Sequence, residues 1–86
     1  MPEEKFWDDM LQTLKQWRRQ HPDHAPKIHM IERKMHNMQM MHIKNLQEYH
    51  YRNKKSCLDR AEKIKKEAEE LFKTLSKFEL LATLSK

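Results

Sequence analysis

The chain has 86 residues, with 18 Lys plus Arg against 13 Asp plus Glu for a net charge of +5, 37% hydrophobic residues, no Gly and a single Cys. With a mean hydropathy of −1.12, so short a chain makes one domain at most and has little apolar surface for a private core, because small domains bury only about 60% of their unfolded surface. The lack of Gly excludes phosphate-cradling loops, dinucleotide fingerprints and tight hairpin turns, which need positive φ or an unusually close backbone approach.

Only four Ile and three Thr are β-branched, whereas Leu, Met, Lys, Glu, Gln and Arg dominate, so the chain reads as all-α. The first element is an amphipathic helix over about 3–20. Phe6, Trp7, Met10, Leu11, Leu14 and Trp17 recur at intervals that put one wide apolar stripe on one face. Pro2, Glu3 and Glu4 suit its amino-terminal end, and Arg18 and Arg19 complement the carboxyl-terminal dipole. An acidic start without an apolar run argues against a secretory or transit peptide, and the lone Cys57 has no internal disulfide partner. The expected setting is therefore intracellular, cytoplasmic or cytoskeletal rather than nuclear.

Residues 21–27 form a connection, because Pro22 and Pro26 each push the preceding residue out of the α region and withhold an amide. A link of this length folds one helix back on the next. The expected hairpin packs Trp7, Leu14 and Trp17 against Ile31, Met35 and Met38, with Trp17 level with Ile31.

After Pro26 there is neither Pro nor Gly, and a long helix over about 28–85 is expected. Ile28, Ile31, Met35, Met38, His42, Leu46 and Tyr49 make one stripe. Cys57, Ala61, Ile64, Ala68, Leu71, Leu75, Phe78 and Ala82 make a second, in heptad register. Leu46, Tyr49, Asn53 and Cys57 join them through a stutter that keeps a continuous coiled-coil-like helix. The alternative is a break near 53–56, where Arg52-Asn53-Lys54-Lys55-Ser56 is polar and Ser56 with Asp59 resembles a capping box. At 1.5 Å per residue the first helix is roughly 27 Å long and an unbroken second helix roughly 85 Å, which would leave the Cys57–Ala82 seam bare and favour partner helices. A break instead lets a third helix return and close a three-helix bundle.

The chemistry-bearing residues point away from catalysis. His-Glu-x-x-His and inward-facing pairs of Glu-x-x-His are absent from the sequence. Met35, His36, Met38, Met40, Met41 and His42 form a soft cluster, but its helical pairs lie on different faces, so it reads as an adaptable packing surface rather than a metal site. Cys57 reads as a small seam residue despite basic neighbours. Arg52, Lys54, Lys55 and Arg60 form a basic patch beside Tyr49, His50 and Tyr51. The patch suits an acidic protein surface first and nucleic acid second, because Glu48 and Asp59 interrupt it. Trp7 and Trp17 bracket a helix with no net charge, a poor match for an anionic bilayer, and no stretch is apolar enough to span one.

The sequence thus specifies a non-enzymatic helical interaction or structural subunit without cofactor. It would associate through its long helix, in a homo-oligomer or hetero-assembly, by protein–protein interaction of coiled-coil type. A basic nucleic-acid-binding or ribonucleoprotein-associated bundle is the alternative.

Overall fold

The first two helices of this chain end where a residue removes or redirects a backbone hydrogen bond. The structure, a computed structural model, describes the backbone from Pro2 to Leu84 and the side chains from Lys5 to Lys77. Its elements are α1 (Pro2–Gln20), a 3₁₀ turn (Pro22–His24), α2 (Ala25–Arg52) and α3 (Lys55–Leu84), with no strand among the described residues. The all-α expectation holds.

At the end of α1 the His21 N–H donates to the Trp17 carbonyl at 2.8 Å. His21 then leaves helical geometry, with φ −126° and ψ 73°, as the proline that follows requires. Pro22 opens the 3₁₀ turn, which the His24 N–H closes on the His21 carbonyl at 3.0 Å. The expected connection over 21–27 is shorter in the structure, because α2 already begins at Ala25. Ala25 is helical at φ −53° and ψ −44° although it precedes a proline. Pro26 falls in the first turn of α2, where its missing N–H would have had no intrahelical partner.

The expectation of an unbroken helix from 28 to 85 is corrected, and the chain takes the alternative course with a break at Asn53 and Lys54. Asn53 donates its N–H to the Tyr49 carbonyl at 2.7 Å and adopts a left-handed φ of 54°. Asn tolerates this conformation better than any other residue in the segment and stands where helices commonly end in Gly. The Cys57 N–H then donates to the Lys54 carbonyl at 3.1 Å, so Lys54 starts α3 with its backbone. Ser56 lies inside α3 rather than at its cap, which removes the expected capping box with Asp59. Helix propensity favoured continuity at this point, and one asparagine was enough to end α2 because the turn lets α3 pack on it.

The chain divides into two compact units, Met1–Met41 and His42–Lys86, with the boundary inside α2. In the first unit, α1 runs back along the start of α2. Arg18 donates through Nη1 to His29 Nδ1 at 3.4 Å and lies 3.5 Å from Glu32 Oε1 through Nε. These two contacts straddle Ile31 and set Trp17 level with that turn of α2. Trp7, Met10 and Leu14 are buried on α1 and Met35 on α2. Phe6, packed edge-on to Trp7 with centroids 5.2 Å apart, is half-buried, as are Leu11, Trp17, Ile28, Ile31 and Met38. Trp7, Leu14 and Met35 are the largest fully buried side chains, and full burial of a large apolar side chain contributes roughly 1.5 to 3 kcal/mol.

In the second unit the last turns of α2 pack closely on α3. His42 and Asn45 are buried polar residues on α2, and Cys57, Ala61 and Ala68 are buried on α3. The His42 ring reaches the Ala61 carbonyl, with Nδ1 to O at 2.8 Å. The Cys57 thiol points at Glu48 Oε2 at 3.8 Å. Ala61 and Ala68, seven residues apart with Cys57 before them, are small buried residues on one face of α3, and at Ala61 the single methyl group lets the backbone of α3 come close to the His42 ring of α2. Thr74 and Ser76 return their hydroxyls to the carbonyls of Glu70 and Phe72 at 3.0 Å, which satisfies these polar groups within α3.

Candidate interaction surfaces

The heptad seam expected on the carboxyl-terminal helix is one face of α3, and its residues differ in exposure according to size. Cys57, Ala61 and Ala68 are buried by the chain itself, whereas Ile64, Leu71 and Leu75 are half-buried. Phe78 and Ala82 lie outside the residues whose side chains are described. The seam is therefore not bare in the single chain. Cys57 and Ala61 already line the packing of the second unit, and among the described seam residues the larger ones keep surface to give to another molecule.

Of the hairpin residues, Trp7, Leu14 and Met35 are buried and Trp17, Ile31 and Met38 are half-buried. The basic patch is open to solvent. Arg52, Lys54, Lys55 and Arg60 are all exposed, as is Lys44 one face upstream. Tyr51 stands among them with 94% of its surface in solvent. Tyr49 faces the other way and is half-buried, its ring edge-on to His50 at 5.6 Å. Lys44, Gln47, Glu48, Tyr51 and Arg52 line an open hollow of about 320 Å³ on the outer face of α2.

The Met and His cluster separates in space by burial. Met35 and His42 are buried, Met38 is half-buried, and His36, Met40 and Met41 are exposed. Among the described residues no three His, Cys, Asp or Glu side chains gather as a metal site would require. The Cys57 thiol lies against a carboxylate, while Lys54, Lys55 and Arg60 point to solvent. No helix among the described residues is long and apolar enough to cross a membrane.

Two features escaped sequence reasoning. Asn45 is as buried as a core residue, although the stripe through His42, Leu46 and Tyr49 passes beside it; the signal was its position three residues after His42, on the same face. Met30 belongs to no stripe and is 71% exposed. Compared with protein families, with curated proteins and with solved structures, the chain matches none.

Proposed function

We infer that this protein is a non-enzymatic helical interaction subunit that joins partner helices, or a larger intracellular assembly of cytoplasmic or cytoskeletal kind, through the α3 seam. The observation that carries this reading is the alternation along one face of α3, where Cys57, Ala61 and Ala68 are sealed and Ile64, Leu71 and Leu75 are only half-covered. Ile64, Leu71 and Leu75 keep part of their apolar surface in water along one helix face rather than scattered over the molecule. A second helix laid beside Ile64, Leu71 and Leu75 removes that surface, at about 25 cal/mol for each Å². The exposed methionines Met30, Met40 and Met41 add flexible apolar surface of the kind that adapts to a partner.

Substitution of Leu71 and Leu75 by Asp tests the reading. Sedimentation of the purified chain, which reads self-association, or affinity capture from its source, which reads a hetero-assembly, should show association with the native chain and none with the double variant. Circular dichroism should show that the variant keeps its helix content. If it does not, the milder pair Leu71→Ala and Leu75→Ala should weaken association in the same direction. Co-purification of the same partners at unchanged yield would remove the seam from the interface.

A further inference from the structure

The corner between α2 and α3 carries groups that the packing of its unit does not use. Residues 44 to 60 hold five Lys or Arg, namely Lys44, Arg52, Lys54, Lys55 and Arg60, against two acids, Glu48 and Asp59. All five cations are exposed, and among the described residues none is in an ion pair. Glu48 is half-buried, has Oε2 3.8 Å from the Cys57 thiol, and also lines the hollow on this face. An aromatic ring at 94% exposure, set beside Arg52 at the rim of a 320 Å³ hollow, completes the arrangement.

We propose that this corner is a second docking site, for an acidic helical surface of a partner protein, with Tyr51 as its anchor and Lys44, Arg52, Lys54 and Lys55 as its carboxylate-binding rim. It rests on the reading of the chain as an interaction subunit but uses a different surface from the α3 seam. Lys44, Gln47, Glu48 and Tyr51 are spaced by three and four and share one face of α2, so a partner helix laid along them meets a continuous strip. Lys44 and Arg52 are two turns apart, about 12 Å, the separation of carboxylates eight residues apart on a helix. Tyr and Arg are the residue types that carry protein interfaces, and a lysine rim steers an acidic partner and sets the salt dependence of its capture.

The same features favour protein over nucleic acid. Glu48 is part of the wall of the hollow, and a phosphate backbone crossing it would meet a carboxylate. A local excess of three positive charges is small for a continuous polyanion, whose binding grows with each phosphate neutralised. Isolated carboxylates on a helix can instead be placed over the cations and clear of Glu48.

Fluorescence anisotropy of the full chain tests the site with three probes: a labelled alanine-based helical peptide with Glu at every fourth position, its Gln counterpart, and a single-stranded oligouridylate. At low salt the Glu peptide should bind, and the Gln peptide should bind at least about tenfold more weakly. Tyr51→Ala and the pair Lys54→Glu with Lys55→Glu should each weaken the Glu peptide by about tenfold. The exposed pair Arg33 and Lys34, reversed to Glu as a control for general charge, should leave it unchanged, as should Leu71→Asp with Leu75→Asp. Equal binding of the Glu and Gln peptides, an equal loss on reversing either basic pair, or no effect of Tyr51→Ala would overturn the proposal. Tighter binding of the oligouridylate than of the Glu peptide would overturn it in favour of a nucleic-acid site. Because the seam variant is measured in the same assay, loss of seam association with corner binding intact separates failure of one surface from failure of the other.

Discussion

The imidazole of His42 donates its Nδ1 proton to the carbonyl oxygen of Ala61 across 2.8 Å, joining the second half of α2 to the second turn of α3. A carbonyl can only accept, so this bond assigns the proton to Nδ1. The ring reaches the α3 backbone at a position where the side chain is a single methyl group and fully buried. A small residue on one helix and a polar ring on the other thus make one joint.

Removing the ring should break that joint. His42→Ala should destabilise the chain by about 2 to 3 kcal/mol, from the lost hydrogen bond and the space left behind. Urea unfolding followed by circular dichroism measures it. A change below about 0.5 kcal/mol would mean that the bond contributes nothing net.

Enlarging the other side should act in the same direction by a different route. Ala61→Leu inserts volume at a fully buried position and should cost about 1 to 3 kcal/mol. The effects of His42→Ala and Ala61→Leu should not add, since the smaller residue at 42 leaves room for the larger one at 61, and a double-mutant cycle reads that coupling.

The turn at Asn53 makes opposite predictions for a broken and a continuous helix. With φ at 54°, Asn53→Gly should leave stability unchanged or raise it by up to about 1 kcal/mol, and Asn53→Ala should lower it by about 1 kcal/mol. In an uninterrupted helix Ala would be the better residue and Gly the worse. The order of the two melting temperatures decides between the structures.

The two tryptophans of α1 differ in burial and should differ in consequence. Trp7 is 1% exposed, so Trp7→Ala should cost about 3 to 5 kcal/mol, which is most of the stability of a marginal small domain. Trp17 is half-buried, and Trp17→Ala should cost clearly less. Equal losses at the two positions, measured by thermal unfolding, would show that the rings are equally covered.

The all-helical character, the first helix, the stripe through Trp7, Leu14 and Met35, the turn after Gln20 and the shared face of Cys57, Ala61 and Ala68 could be read from the sequence, because helical periodicity is a local property that each segment displays on its own. The open basic corner could be read in the same way, from charges that burial would leave unpaired. Three matters depended on tertiary structure. Whether the chain breaks at Asn53 turns on a comparison between the small local cost of one left-handed residue and the burial gained when α3 returns along α2, and only the second half of that comparison is non-local. Which seam residues remain open turns on how close α3 comes to its neighbour, a distance set by Ala61 and Ala68 jointly with the His42 ring. The burial of Asn45 and the full exposure of Tyr51 follow from the rotation of α2 about its own axis, which a stripe several residues wide leaves undetermined by some tens of degrees and which packing settles.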